Sequence, residues 1–182
     1  RDVFLAKLDK LFLAPSRTFD NVKGKFPIGF FIWDTSVKHA FKEINADVFD
    51  SHGVYIGNKY LFVPELRNIK DWLRHYKDDE KHISWLVRGS ADIQNNNVVF
   101  LTLRPSDSVL NASNASKVTA KNLTINCIFL TVRKVIEKTW INDRDQYLYP
   151  KEELINNLEF QNDCLAYTLF ADSNYIKNTD GV

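Results

Sequence analysis

Phe26-Pro-Ile-Gly-Phe-Phe-Ile-Trp-Asp34 predicts a β-strand that ends in a charged turn. The stretch is apolar on both faces, which is typical of a strand buried between helical layers. A second apolar run, Leu8 to Ala14, precedes it, and the polar, basic segment Pro15 to Lys25 lies between the two. The pattern predicts two strands joined by a loop that is long enough to carry function.

The composition is that of a globular protein. The 182 residues are 45% hydrophobic and 13% aromatic, enough for one sizeable core or two small ones. The 24 basic and 23 acidic side chains leave a formal net charge of +1, so we expect only weak electrostatic binding of nucleic acid by this chain alone. No apolar run has transmembrane length and no signal peptide opens the chain, and we therefore expect a cytoplasmic protein without a membrane partner.

The residues after the first strands predict a mixture of elements. Asp34-Thr35-Ser36 is expected to cap a short helix over residues 37 to 44. Residues 47 to 63 predict a hairpin that turns at Gly53. Pro64 is expected to open a helix that reaches Tyr76, and further strands are expected over residues 83 to 87 and 98 to 103.

The last third of the chain is expected to be largely helical. Residues 105 to 121 are rich in Ser, Asn and Ala, which is typical of a mobile linker or an internal boundary. Apolar spacing then predicts an amphipathic helix over residues 122 to 140 and a second helix from Pro150. The predicted fold class is α/β or α+β.

Three segments together resemble the C-terminal half of bacterial N6-adenine-specific DNA methyltransferases of type II restriction-modification systems. They follow one another in the same order over nearly the whole chain, and each alone is a weak match. The segments are Phe19-Asp-Asn-Val-Lys-Gly-Lys-Phe-Pro-Ile-Gly-Phe-Phe-Ile-Trp-Asp34, then Thr131-Val-Arg-Lys134 through Thr139-Trp-Ile-Asn-Asp-Arg-Asp-Gln-Tyr-Leu-Tyr-Pro150, and Glu159-Phe-Gln-Asn-Asp-Cys-Leu-Ala-Tyr-Thr-Leu-Phe170.

The resemblance implies a division of the chain at residue 44. Residues 1–44 correspond to the last antiparallel hairpin of a methyltransferase-like sheet. Residues 45–182 correspond to a downstream mixed α+β region for DNA recognition, with a possible linker at 105–121. In that family the sheet binds S-adenosylmethionine, and the enzyme methylates N6 of an adenine flipped out of double-stranded DNA.

Two motifs that this chemistry needs are missing from the sequence. One is a Gly-rich loop after a strand, and the other is the tetrapeptide Asn/Asp/Ser-Pro-Pro-aromatic, since all five prolines are isolated. We therefore expect no catalytic residue here, S-adenosylmethionine bound mainly by residues outside this chain, and no methyl transfer by the chain alone. The expected partners are double-stranded DNA and the missing N-terminal methyltransferase portion or a separate catalytic subunit.

The loop between the first strands holds the leading DNA-contact candidates. The resemblance implies that Phe19 stacks on the flipped adenine, an interaction worth about 1–3 kcal/mol for each stacked base. The alternative is a loop phenylalanine packed on the core. Lys23 and Lys25 flank Gly24 and are candidates for phosphate contacts, although two lysines in a solvated loop are equally common.

Further DNA-binding candidates lie downstream. Asn95 and Asn96 carry amides that can pair with the adenine edge, although a turn between strands is the favoured explanation, because Asn tolerates left-handed backbone angles. Arg88 is a candidate on similar grounds. A last group is predicted on the polar side of the 122–140 helix, where it either tracks a DNA backbone or forms a solvated face. This group is Arg133, Lys134 and Lys138.

The remaining reactive side chains predict no metal centre. The four histidines have no cysteine partners at ligand spacing, and Asp143 and Asp145 around Arg144 are typical of a local ion-pair network. Cys127 and Cys164 are expected to be buried free thiols. Three N-glycosylation triplets, at Asn111, Asn114 and Asn122, leave a secreted glycoprotein domain as a weaker third hypothesis.

The sequence thus leads to two main hypotheses. The first is part of an adenine-specific DNA methyltransferase that supplies base stacking and groove contacts. The alternative is a non-catalytic DNA-binding or specificity module that acts with a separate catalytic subunit.

Overall fold

The computed structural model describes residues 5–65 and 68–174, and the side chains of residues 96 and 97 lie outside that description. The chain forms two compact units. The first unit contains residues 1–65 and 138–144, and the second contains residues 66–137 and 145–182. Each unit has its own buried apolar cluster.

The first unit is built on a mixed four-stranded sheet. Its strands are β1 (Lys7–Pro15), β2 (Pro27–Asp34), β3 (Glu43–Phe49) and β4 (Tyr55–Phe62), in the order β2-β1-β3-β4. β1 is antiparallel to β2 and β3 is antiparallel to β4, whereas β1 and β3 are parallel. Both predicted hairpins are confirmed, and the second turns at Gly53, whose φ of 78° suits a glycine.

One face of this sheet carries the core of the first unit. Its fully buried apolar residues come from the two central strands, and partly buried side chains from β3, β4 and residues 138–144 pack against them. The link to residues 138–144 is also polar, since Lys59 Nζ donates to the Ile141 carbonyl at 2.7 Å. The buried residues are Leu11, Leu13, Ala46 and Val48, and those packed on them are Ile44, Leu61, Trp140 and Ile141.

The opposite face of the sheet is aromatic and open. Side chains that face each other across paired strands share a face, and this places Phe12, Phe30, Phe49 and Tyr60 together. The Phe12 and Phe49 ring centroids are 6.2 Å apart. Phe30 is 49% exposed and Tyr60 is 53% exposed.

The prediction that residues 26 to 33 form a strand buried between helical layers is therefore wrong. β2 pairs with β1 alone in the described sheet, which makes it an edge strand. The described part of the first unit also contains no α-helix that could cover it. Phe30, Phe31 and Ile32 are each about half exposed for these two reasons.

The helix predicted over residues 37 to 44 is also absent from the structure. Asp34 Oδ1 accepts a hydrogen bond from the Ser36 amide at 2.9 Å, which forms a local turn instead of a helix cap. β3 begins at Glu43 and pairs with both β1 and β4. Residues 45–65 consequently belong to the first unit, and the chain does not divide at residue 44.

In its described residues, the second unit combines a three-stranded sheet with five α-helices. β5 (Ser84–Val87) lies between β6 (Phe100–Thr102) and β7 (Ala115–Val118), and is antiparallel to both. Within the described residues the chain is thus a mixed α and β structure, which confirms the coarse fold class. The helices are α1 (Ile69–Arg74), α2 (Asp107–Asn111), α3 (Leu123–Val135), α4 (Glu152–Ile155) and α5 (Leu158–Leu169).

α3 is the centre of the second core. Cys127, Ile128, Phe129 and Leu130 are all buried and pack with residues from α1, α5 and the sheet. α3 is shorter than the predicted 122–140 helix, because the backbone becomes extended at Ile136. The helix predicted from Pro150 is divided into α4 and α5.

The linker predicted over residues 105 to 121 is wrong. This segment contains α2 and β7. All four residues of β7 pair with β5, from Ala115 opposite Val87 to Val118 opposite Ser84. The Ser and Asn residues of this segment lie in α2, in the edge strand β7 and in the turns beside them, and Val118 is fully buried.

Candidate nucleic-acid interface

The loop between β1 and β2 is held closed by one buried serine. Ser16 begins a short 3-10 helix, Ser16–Thr18, directly after β1. Its Oγ donates to the Gly24 carbonyl at 2.6 Å, and its amide donates to the Phe26 carbonyl at 2.9 Å. Asn21 takes a left-handed φ of 66°, which asparagine tolerates, and turns the chain between these ends. The loop is therefore a fixed structure and not an extended linker.

A basic cavity of about 340 Å³ opens beside this loop. Arg17 and Lys25 from the loop and Lys138 from the returning segment all line it. Arg17 and Lys25 are exposed, and neither has an ion-pair partner among the described residues. The other lining residues are Pro15, Ser16, Thr139 and Trp140. Cationic side chains, a hydroxyl and an indole in one concave site suit an anionic, partly aromatic ligand.

A buried carboxylate positions Lys138. Asp143 is 5% exposed and its Oδ1 lies 3.1 Å from Lys138 Nζ. The other oxygen, Oδ2, lies 3.5 Å from Arg144 Nε, and the Arg144 guanidinium lies 5.0 Å from the centre of the Phe26 ring. The predicted local ion-pair network at Asp143 is confirmed. It connects the returning segment to the loop, which places Lys138 near Lys25.

Phe19 lies on the same loop with its ring partly open. It follows the short 3-10 helix and is 39% exposed. Its ring centroid is 6.1 Å from that of Phe30, so one side of Phe19 packs on the aromatic face of the sheet. Lys23 is exposed on the loop but does not line the cavity. The structure thus brings Lys25 and Lys138 together and leaves Phe19 available on the same loop.

Arg133 is not on a polar helix face, as we expected, but in the core. It is fully buried, and its guanidinium lies 4.4 Å from the centre of the Tyr147 ring. Its nitrogens donate to the carbonyls of Arg88 and Asn95 at 3.3 and 3.1 Å. Lys134 beside it is half-buried, and burial, followed by the charge of Arg133, lowers the pKa of Lys134. Arg133 cannot reach a DNA backbone from this position.

The remaining candidates do not line the basic cavity. Arg88 is 5% exposed and donates to the Ser113 carbonyl, so it does not form a surface contact for DNA. Asn95 Nδ2 donates to Ser90 Oγ at 2.8 Å within the 3-10 stretch Ile93–Val98, which is the turn between strands that the sequence offered as the alternative. The Asn96 side chain lies outside the described residues.

Five lining residues of the cavity were not among the candidates predicted from the sequence, and Arg17 and Trp140 are the two that bear most on ligand binding. Arg17 lies in the same basic loop as Lys25, so the composition of that loop was the available signal. Trp140 is separated from the loop by more than a hundred residues, and no local pattern contains that contact.

The comparisons with known proteins add no family to this description. No family model, no curated protein and no solved structure matches the chain. Among the described residues, no helix has the length and apolar character needed to span a membrane, and no group of His, Cys, Asp and Glu side chains is arranged to hold a metal ion.

Proposed function

We propose that this chain is the DNA-contacting part of an adenine-specific DNA methyltransferase, and that its first hairpin loop meets the DNA. The observation that carries the proposal is the convergence of Arg17, Lys25 and Lys138 on one cavity, with Phe19 half-open on the same loop. Lys138 is more than a hundred residues from Arg17 and Lys25 in the sequence, so only the fold brings the three cations together.

The three cations have the chemistry of a phosphate site. Arginine and lysine side chains supply most protein contacts to DNA phosphates, and such contacts set the register of a protein on the duplex. Asp143 holds Lys138 in place but leaves the other two cations of the cavity without a carboxylate among the described residues. A phosphate in the cavity would therefore meet an excess of positive charge.

Phe19 has the position of a base-stacking residue. Phe19 does not line the basic cavity. An exposed aromatic ring on the same loop can still hold an unstacked base, because every base offers a flat π-face. One side of Phe19 is supported by Phe30, and more than a third of its surface is open. A supported ring loses little conformational freedom when a base binds to it.

The residues present do not fit S-adenosylmethionine. Neither a Gly-rich turn after a strand nor an Asn/Asp/Ser-Pro-Pro-aromatic tetrapeptide occurs in the sequence. We derive no methyl-transfer step from this chain, and we propose that the cofactor and the reacting adenine amino group are held by a separate methyltransferase portion or subunit.

The open aromatic face of the first sheet supports the existence of such a partner. Phe30, Tyr60 and Phe62 are all between about two fifths and three fifths exposed on it. Several exposed aromatic side chains on one face of a sheet are typical of a protein interaction site. We propose that the methyltransferase portion packs there.

DNA binding by the basic cavity can be tested by fluorescence anisotropy with a labelled duplex of about 30 base pairs at about 50 mM salt. The test variant replaces Arg17, Lys25 and Lys138 with alanine. The control replaces Lys7, Lys121 and Lys151, which removes the same charge elsewhere. We expect the test variant to bind at least about tenfold more weakly and to lower the salt slope by about one for each lost phosphate contact. Equal loss in both variants would contradict the proposed site.

The methyltransferase assignment needs a separate experiment. The intact mass and an N-terminal peptide map of the natural polypeptide would show whether a Pro-Pro-aromatic tetrapeptide lies upstream of Arg1. If it does, we expect a Phe19→Ala change in that polypeptide to reduce methyl transfer to duplex DNA. A natural polypeptide near 21.2 kDa would contradict the assignment and favour the specificity module that acts with a separate catalytic subunit.

A further inference from the structure

The second unit contains a cavity that the proposed DNA site does not use. Its volume is about 310 Å³, which is at the lower end of the range for small-molecule sites. Tyr76, Trp85 and Leu110 contribute ring and apolar surfaces to its lining. Three buried polar side chains, Arg88, Asn122 and Asn126, line it as well.

Arg88 is a buried cation without a counter-charge in the described part of the chain. It is 5% exposed, and the one hydrogen bond that its guanidinium makes to a described residue goes to the Ser113 carbonyl. Its Nε has no hydrogen-bond partner there, and no described carboxylate forms an ion pair with it. A buried guanidinium in this condition has lost its water without gaining an anion, which is costly.

Neighbouring charges increase this excess of positive charge. Burial and the charge of Arg74 both lower the pKa of Arg88. Burial also lowers the pKa of Lys70, and the charges of Arg88, Arg74 and Arg133 lower it further, with Asp71 acting in the opposite direction. The surroundings of Arg88 therefore favour the arrival of a negative charge.

Asn126 supplies an acceptor in the same lining. It is 1% exposed, and its Nδ2 donates to the carbonyl and the side-chain oxygen of Asn122 at 2.8 and 2.9 Å. Its Oδ1 has no partner among the described residues. Native structures rarely leave a buried amide oxygen unpaired, so this atom is the second polar group that a ligand would satisfy.

We propose that this cavity binds a small ring compound that carries one carboxylate or phosphate group. The anionic group pairs with the guanidinium of Arg88, the ring packs against Trp85 and Tyr76, and a donor on the ring faces Asn126. This site lies entirely within the second unit. The inference is independent of the proposed DNA-contact function.

The two carboxylates in the lining already have partners. The Thr119 hydroxyl donates to Asp78 Oδ2 at 2.6 Å, and Asp79 Oδ1 lies 4.0 Å from Lys117 Nζ. The lining as a whole contains three cations, Lys77, Arg88 and Lys117, against these two carboxylates. Its net charge of +1 favours an anion over a cation.

NMR titration of the full chain can test the site. The Trp85 indole N–H signal is assigned with a Trp85→Phe variant and followed during addition of phenyl phosphate, benzoate, inorganic phosphate or sodium chloride at matched ionic strength. We expect saturable shifts with phenyl phosphate or benzoate and a Kd of about 1 mM or below. Whichever of these two compounds binds with the lower Kd shows whether the site prefers a phosphate or a carboxylate. Inorganic phosphate should bind more weakly, because it has no ring to pack on Trp85.

Three variants make the test specific. Arg88→Gln removes the cation and should weaken binding at least about tenfold. Leu110→Trp fills the cavity while Arg88 remains, and it should abolish binding. Leu154→Trp adds the same ring to a half-exposed position outside the cavity and should leave binding unchanged.

Several outcomes would overturn the proposal. One is a shift of the Trp85 indole N–H signal with phenyl phosphate or benzoate that does not saturate, or that equals the shift caused by sodium chloride. Another is an unchanged affinity in folded Arg88→Gln or, should that variant fail to fold, in Leu110→Trp. Equal affinities for inorganic phosphate and phenyl phosphate would show that the ring of the ligand does not pack against Trp85 and Tyr76.

Discussion

The four-stranded sheet leaves most of its aromatic side chains in contact with solvent, whereas the three-stranded sheet is packed against helices. The core of the first unit has four fully buried apolar residues, Leu11, Leu13, Ala46 and Val48. The second unit has fourteen buried residues in one cluster, which includes all of Cys127 to Leu130. Both units are rich in apolar residues, so the difference lies in whether a second layer covers the sheet. We expect the second unit to contribute most of the stability and the first to depend on what binds it.

The largest expected effect is a cavity in the second core. Phe129 is fully buried in α3, and Phe129→Ala should lower the free energy of unfolding by about 3–5 kcal/mol. Phe170→Ala removes the same ring from a position that is 79% exposed, and it should change the free energy of unfolding by less than about 0.5 kcal/mol. Urea denaturation followed by circular dichroism measures both. Similar losses in the two variants would mean that the second core is not packed as described.

The next effect concerns a buried cation in the same core. Arg133→Ala should cost about 2–4 kcal/mol, because it removes hydrogen bonds to two carbonyls and the packing on the Tyr147 ring. Lys134→Ala, the adjacent half-buried cation, is the matched control and should cost less than about 1 kcal/mol. The same denaturation assay applies. A cost for Arg133→Ala as small as that for Lys134→Ala would place Arg133 outside the core.

A smaller effect is expected on the open aromatic face of the first sheet. Phe30→Ser with Tyr60→Ser should change the free energy of unfolding by less than about 1 kcal/mol, because both side chains are half exposed. The same pair should reduce self-association, which light scattering at rising protein concentration detects. Leu13→Ser on the covered face is the contrast and should unfold the first unit. Unchanged self-association in the double variant would show that the aromatic face does not drive self-association.

The smallest effect is chemical and reports on the packing of α3 against α5. Burial raises the pKa of both Cys127 and Cys164, so at pH 8 each thiol is less ionised than a free cysteine. Because the thiolate is the reactive form, alkylation by iodoacetamide should be slow in the folded protein and should accelerate as the pH rises or denaturant is added. Mass spectrometry of the modified protein measures this. Rapid labelling at pH 8 without denaturant would contradict the burial of these two thiols between α3 and α5.

Local pattern was sufficient where neighbours in sequence are neighbours in space. β1 and β2 follow one another and pair directly, so two apolar runs around a basic loop identified them. The turn at Gly53 and the helix that contains Phe129 were predicted for the same reason. Such elements depend on apolar period and turn residues, which the sequence displays openly.

The failures involve contacts between distant residues. Of residues 37–44, which were expected to form a helix, only Glu43 and Ile44 have regular structure, and they pair with β4 in the strand β3. Arg133 was expected on a polar surface, but the Tyr147 ring and two distant carbonyls enclose it. Two of the three cations of the basic cavity, Lys25 and Lys138, were predicted from the sequence. Their assembly with Trp140 depends on the return of residues 138–144 to the first sheet.

The most direct test of the proposed DNA site is lysine footprinting. The full chain is treated with an acetylating reagent, with and without duplex DNA at low salt, and the modification of each lysine is measured by mass spectrometry. We predict strong protection of Lys25 and Lys138, which line the basic cavity, and unchanged modification of Lys7 and Lys121, which form ion pairs elsewhere. Two results would contradict the account. One is that DNA changes the modification of all four lysines to the same extent, and the other is that DNA protects Lys7 and Lys121 alone.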